Sequence, residues 1–298
     1  MKPFLAALSA ALLILLAPPS AARKTDTPAT IAATPALWAV KDADTTIYLF
    51  GTIHMLDPRY HWFEGKVRHA FEGADELVVE TVEPPKAEAQ AIVARLAGAP
   101  DRSPLSNRLP KKVAERYRQE LAAAGLPVDA LDHYQPWFAA VTLSMLQYNK
   151  VGMSAGSGVD VTLMSAAKAA QKPIHPLETF AEQLGFFSSM SENEQIRFLS
   201  LSIEELRHSP DMIGTLTRAW AKGDVKTLAK VMNKDMREMP ALSKRLLDDR
   251  NARWADWIKA RLARPGTVFV AVGAGHLGGT ASVQTMLARR GIASARVQ

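Results

Sequence analysis

The feature that most constrains this chain is a strand that ends the same way twice. Thr45 to Phe50, "TTIYLF", is a β-favouring run that passes straight into Gly51-Thr52-Ile53-His54. Far along the chain, Val268 to Val272, "VFVAV", passes into Gly273-Ala274-Gly275-His276. Ligands of open α/β sheets bind beyond the carboxyl ends of the strands, so a side chain placed just after a buried strand sits at the rim of that crevice. A glycine three positions earlier has no Cβ, so the backbone can turn sharply and a neighbour can approach closely. Each Gly-x-x-His therefore aims an imidazole at one spot, and two copies can aim at the same spot. "ELVVE" (76–80) brings Glu80 to the end of another apolar run, and "KPIHPLET" (172–179) brings Glu178 to the end of a fourth.

The segments between these strands are helical. "KKVAERYRQELAAAG" places Val113, Tyr117 and Leu121 at helical spacing and stops at Gly125. "PWFAAVTLSMLQYN" (136–149) is almost wholly apolar and reads as a buried helix with Pro136 in its first turn. "GVDVTLMSAAKAAQ" (158–171) is another helix, with Asp160 as a candidate N-cap. Ser191 and Glu194 form a capping box before "QIRFLSLSIEEL", and a helical block fills 181–263. Leu37–Val40 and Thr45–Phe50 form a hairpin around the turn "KDAD". These patterns predict an α/β (α+β) fold: one domain over 37–298, a central mixed sheet with flanking helices, and helical insertions at about 105–150 and 181–263.

The first residues read as an address. Lys2 precedes an apolar run, Phe4 to Ala17, and Pro18-Pro19-Ser20-Ala21-Ala22 supplies a helix break and small residues, so residues 1–22 are expected to be a signal peptide cleaved after Ala22. The run is shorter than the roughly 20 residues a spanning helix needs, which disfavours an uncleaved anchor. Residues 23–36 are expected to be a flexible leader. The chain has no cysteine, which excludes a lipid-modified cysteine, disulfides, thiolate ligands and a cysteine nucleophile. A periplasmic or secreted location follows as an expectation. The formal charge is +6, and removing Lys2 with residues 1–22 leaves 35 basic against 30 acidic residues, or +5. The basic residues are scattered on helical segments beside acidic ones, which points to solvated helix faces and not to a nucleic-acid surface.

Two histidines and one or two carboxylates are a ligand set for Zn, Mn, Co or Fe, with positions left open for water. One Gly-x-x-His alone is more simply a hydrogen-bonded turn histidine; two copies after strong strands, joined by strand-end carboxylates, favour a common site. Of the other histidines, His61 could edge the site, His69 reads as surface, His133 as a helix-entry residue, His175 as a satisfied core histidine, and His208 as a helix C-terminal charge. "DDRN" (248–251) lies in a long amphipathic helix and reads, by itself, as a solvated charged turn.

Taken together, "LWAV", "TTIYLFGTIHML", "DELVVE", "GVD", "HPLET", "DDRN" and "VAVGAGHL" resemble the TraB/GumN family, which includes the pheromone-shutdown proteins and the Wnt-cleaving TIKI metalloproteases. The resemblance covers the chain from about Leu37 to its end. It implies a fold like that of the erythromycin-esterase-like and ChaN-like proteins. It also implies a metal-dependent hydrolase acting on a peptide or protein, with Mn or Co ahead of Zn. On this resemblance His54, Glu80 and His276 are central as metal ligands and catalytic groups, with Glu80 either ligating or acting as general base. Arg250 becomes a candidate to clamp a substrate carboxylate or an oxyanion, supported by Asn251. Asp160 and Glu178, with Gly51 and Gly273, are carried over as supporting residues. Two alternatives stay open: a metal-free hydrolase of the erythromycin-esterase type with a histidine base, and a non-catalytic peptide-binding or polysaccharide-export accessory protein.

Overall fold

The computed structural model describes residues 30–99, 102–206, 209–236 and 238–298. Residues 1–22, expected to be a signal peptide, and His208 lie outside the described residues. Among the described residues no helix is long and apolar enough to cross a membrane. The strands are β1 (Ile31–Ala32), β2 (Leu37–Lys41), β3 (Thr45–Thr52), β4 (Tyr60–His61), β5 (Glu76–Val79), β6 (Ile174–Pro176), β7 (Gly266–Gly273) and β8 (Ala295–Arg296).

Six of them form one mixed sheet in the order β6-β5-β7-β3-β2-β8. β6, β5, β7 and β3 are parallel neighbours, and the hairpin places β2 antiparallel to both β3 and β8. The four parallel strands therefore present their carboxyl ends along one edge. β3 and β7 lie side by side with Gly51 opposite Val272 and Thr52 opposite Gly273, so the two Gly-x-x-His segments leave the sheet next to each other. Strand alternation sorts the side chains onto two faces. Phe50, Leu77, Val79, Phe269 and Ala271 pack on one side with Val67, Phe71, Leu163, Leu216 and Trp220. Ile47, Leu49, Val78, Val268, Val270 and Val272 pack on the other with Trp254, Ile258, Val283 and Leu287. Covering both faces with helices explains why these strands are nearly continuous apolar runs.

A third core lies among helices away from the sheet. It holds Tyr117, Leu121, Trp137, Phe138, Phe187, Phe198 and Leu199, and it extends to Leu246 and Leu247. Helix Pro136–Lys150 is its centre, with ten of its residues buried from Pro136 to Met145. The Ser191–Glu194 capping box forms, with Ser191 Oγ 2.7 Å from Glu194 Oε2.

Two expectations need correction. The end of the leader is not free: β1 pairs in parallel with β4, the Thr34 amide donates to Ala221 O at 2.7 Å, and Ala36 is buried. These short apolar and small residues fill the gap between the Trp62 segment and the helix ending at Ala221. The block 181–263 is also not one insertion. Its first part joins the helical core, whereas Leu216, Trp220 and Leu228 pack on one sheet face and Trp254 and Ile258 on the other. A helix reads as amphipathic from its own sequence, but which layer it covers depends on where the chain crosses the sheet edge.

Candidate active site

At the carboxyl edge of the parallel strands, β5 ends beside Glu80, β6 leads to Glu178, β3 to His54 and β7 to His276, and all four side chains are buried. Gly273 is the floor. A Cβ built there would lie 3.1 Å from Glu80 Oε1, 3.6 Å from His276 Cδ2 and 3.9 Å from His54 Nε2. The missing Cβ therefore leaves a small space on which a carboxylate and two imidazoles converge. Neither motif glycine has positive φ. Their role is close approach and not the sharp turn expected from sequence; at Gly51 a Cβ would press on Ala274 Cα at 3.1 Å, so Gly51 lets the two motifs pack together.

His54 is 7% exposed, and its Nδ1 faces Asp160 Oδ1 at 3.1 Å. A carboxylate only accepts, so in the neutral ring Nδ1 carries the hydrogen and Nε2 presents its lone pair to the space over Gly273. Burial alone would lower the basicity of this imidazole. The charge and hydrogen bond of Asp160, helped by Glu80, outweigh burial and the opposing Arg250, so the His54 pKa lies above its ordinary value. The Asp160 expectation changes here. The helix Val159–Ala169 has Gly158 at its N-cap, and Asp160 stands in the first turn with its carboxylate turned to His54. Gly158 is required by contact: a Cβ there would lie 2.3 Å from His54 O. Hydrogen bonds from Val159 N to Ile53 O at 3.0 Å, and between Leu56 and Ser154 in both directions, wrap this small-residue loop around the first motif.

His276 has a different environment. Its Nδ1 is 2.6 Å from Asn251 Oδ1, and Asn251 Nδ2 donates to Ala281 O at 2.7 Å, which fixes the amide with its oxygen toward the ring. Nδ1 is thus the donor, and Nε2 accepts from Arg250 Nη1 at 3.1 Å. Burial first, and the Arg250 charge second, push the His276 pKa down to about 3, against the pull of Glu80. This imidazole is neutral at any ordinary pH. Asn251 therefore supports His276 and not Arg250.

Arg250 is 5% exposed, so "DDRN" is not a solvated turn. Its Nε donates to Glu178 at 2.9 Å, its Nη1 to Leu246 O at 3.2 Å and to His276, and its Nη2 to Glu80 Oε2 at 2.6 Å, with Glu178 Oε2 in ion-pair contact with Nη2 at 2.8 Å. A guanidinium has five N–H donors; four make these hydrogen bonds, and Nη2 is also drawn into the Glu178 ion pair. Arg250 cannot clamp a substrate carboxylate or an oxyanion without surrendering one of these bonds. A π-helical turn, Lys244–Asp248, precedes it and contains the Leu246 carbonyl it uses; such bulges recur at functional sites. Glu80 Oε1 accepts the Gly273 amide at 2.6 Å, and Oε2 accepts Gln183 Nε2 at 3.0 Å besides Arg250. Burial would raise the Glu80 pKa, but Arg250 above all, with the Gly273 amide, holds it well below the usual carboxylate range. Glu80 is thus held in its carboxylate form at neutral pH.

Three contributors had no signal strong enough to find them in the sequence. Gln183 reaches Glu80 from the first turns of the helix Phe180–Ser188. Trp254 lies one helical turn after Arg250, with the guanidinium 4.6 Å over its ring and the His276 ring 4.4 Å away. Arg253 donates to Glu178 Oε1 at 2.9 Å. The spacing of Arg250, Arg253 and Trp254 on one helix could have suggested a shared face. His61 is exposed and 3.7 Å from Glu64, away from the site. His175 is exposed and 3.5 Å from Glu76, so it is not a core histidine; β6 is an edge strand, and its outward face meets solvent.

The donor chemistry can be tested against a divalent ion. His54 Nε2 and Glu80 Oε1 border one space and suit an ion as two ligands. His276 Nε2 is filled by an Arg250 hydrogen, and Glu80 Oε2 by another. As arranged, His54, Glu80 and His276 do not form a joint three-ligand cradle, and among the described residues no group of three His, Asp or Glu side chains does.

These features define a class: an α/β protein whose polar centre lies where two Gly-x-x-His strands end side by side. The chain belongs to the TraB/PrgY/gumN family, whose profile matches residues 36–296. It is 25% identical over 260 residues to a protein of Escherichia coli strain K12 described as "Uncharacterized protein YbaP", covering 85% of this chain and 92% of that one. It is 23% identical over 274 residues to an uncharacterized protein of Treponema pallidum strain Nichols, covering 85% and 80% respectively. No solved structure matches it significantly.

Proposed function

We propose that this chain is a hydrolase of acyl bonds, with peptides as its substrate class, in which His54 is the general base. The observation that carries the reading is the part-buried His54–Asp160 pair, in which the Nε2 lone pair of the buried imidazole borders the same small space as the ionised Glu80. A water in that space gives a proton to His54 Nε2, and Asp160 stabilises the imidazolium that forms. The water oxygen bonds to the substrate carbonyl carbon, the carbon–nitrogen bond breaks, and His54 returns the proton to the leaving amine. Glu80 accepts the second hydrogen of the water and orients it. Arg250 and the neutral His276 hold Glu80 in place as a positioning group. Peptides as substrates, and export through residues 1–22, rest on the resemblance and the sequence.

The test is mass spectrometry of a peptide library incubated with purified protein, with and without Mn. His54→Ala and Asp160→Asn should reduce cleavage by roughly 10²–10⁴-fold while the fold is retained. Cleavage at the wild-type rate by His54→Ala dismisses the reading. Binding without products in the wild type leaves the non-catalytic alternative in place.

A second reading keeps a divalent ion, favoured by the Nδ1 bond to Asp160, since ligating histidines usually donate their other nitrogen to a carboxylate. His54 and Glu80 would hold Mn, Co or Zn. The ion would supply a bound water of lowered pKa. Metal content after dialysis, and thermal shift on adding each ion, should differ between wild type and His54→Ala under this reading; identical behaviour removes it.

A further inference from the structure

We infer that Arg253 is a substrate-recognition residue, and that the hydrolase proposed above selects substrates carrying a carboxylate close to the scissile bond. The inference rests on that reading for its meaning but not for its test. In the buried network Arg250 is 5% exposed and is paired with both Glu80 and Glu178, so it is not free for substrate. Arg253 lies three residues further along the same helix, Asp249–Leu262, and reaches the same Glu178. Its side chain is 53% exposed, the only arginine of the network that meets solvent.

Two contacts fix its position. Nη2 donates to Glu178 Oε1 at 2.9 Å, and the guanidinium carbon lies 5.7 Å from the centre of the Phe186 ring, which faces Arg250 at 5.3 Å on the same side. Glu178 is buried and also bound to Arg250, so it is a rigid anchor. No other hydrogen bond engages Arg253 among the described residues. Four of its five N–H donors are therefore without a hydrogen-bond partner among the described residues, on a half-exposed guanidinium tethered to Glu178. A planar fork held in one orientation beside an aromatic face binds a carboxylate through two parallel hydrogen bonds. Glu178 and Arg250 link Arg253 to Glu80 at the proposed reacting space, so a carboxylate bound to Arg253 would lie beside that site. It belongs to an aspartate or glutamate side chain or to a peptide C-terminus.

The bland account is that Arg253 only balances the second charge of the Glu80–Glu178 pair, and the two accounts separate experimentally. Three fluorescein-labelled random octapeptide mixtures serve as probes: one with a free C-terminal carboxylate and no Asp or Glu, one amidated with a single internal Asp or Glu, and one amidated with neither. Binding is measured by anisotropy to His54→Ala, which removes turnover, and to His54→Ala combined with Arg253→Gln or Arg253→Lys. The expected result is at least tenfold tighter binding of one carboxylate-bearing mixture than of the neutral one, which identifies the source. Arg253→Gln should abolish that preference, and Arg253→Lys should restore only part of it. No preference in His54→Ala, or a preference that survives Arg253→Gln, overturns the inference. An equal loss for all three mixtures assigns Arg253 to structure alone and also overturns it. Carboxylate-selective binding without any cleavage by wild type would uphold Arg253 while removing the hydrolase.

Discussion

Replacing Arg250 by Met keeps the length of the side chain and removes the one cation, among the described residues, that touches both Glu80 and Glu178. Glu178 keeps Arg253, and Glu80 keeps the Gly273 amide and Gln183, so a single proton taken up by the pair relieves the excess charge. Forcing a proton onto a carboxyl of ordinary pKa 4.5 at pH 7.5 costs about 4 kcal/mol, at 1.36 kcal/mol per unit. That agrees with the roughly 3–5 kcal/mol for breaking one side of a buried ion pair. At pH 5.5 the same protonation costs only about 1.4 kcal/mol. The sign runs one way for every group involved. In the wild type the depressed Glu80 contributes stability that is fully present above pH 4.5 and does not change between these two values. His276, with its pKa lowered to about 3, makes the wild type lose stability as pH falls below 6.5; without Arg250 that loss is smaller. Urea unfolding of both proteins at pH 7.5 and 5.5 reads the difference directly. The deficit of Arg250→Met should be about 4 kcal/mol at the higher pH and less than half of that at the lower. A deficit under about 1 kcal/mol at pH 7.5, or one that does not shrink on acidification, would refute the account of a buried, charge-balanced network.

Gly273→Ala places a methyl 3.1 Å from Glu80 Oε1 in the space proposed for the reacting water. It should cost about 1–3 kcal/mol through overpacking and abolish hydrolysis more completely than that loss of stability explains. Gly158→Ala should be the more damaging of the two to folding, because its Cβ meets the His54 carbonyl at 2.3 Å; thermal unfolding of both variants ranks them. Asn251→Ala strips the Nδ1 partner from a buried neutral His276 and should cost about 1–3 kcal/mol. NMR of the ring nitrogens should then show that the Nδ1–H tautomer is no longer fixed, and an unchanged tautomer would contradict the role given to Asn251.

What the sequence by itself determined is what local pattern encodes. The β-favouring runs ending at His54 and His276, the apolar run ending at Glu80, the buried helix from Pro136 and the capping box at Ser191 are each properties of consecutive residues, and each stands in the fold as read. The tertiary structure alone decided what those pieces do to one another. Pairing β3 with β7 brought the two Gly-x-x-His segments together, and the Gly273 space exists only because Glu80 arrives from β5. Arg250 sits in a charged turn that any solvated helix would show, and only the π turn before it and the carboxylates across from it turn it inward. Asp160 read as a cap, and it became the partner of His54 through a loop packed against the first motif. The physical reason is range. Propensity and periodicity act over a turn or a strand, whereas the charge state and hydrogen bonds of a buried group depend on neighbours far along the chain, 25 residues away for His276 and Asn251 and 170 for Arg250 and Glu80.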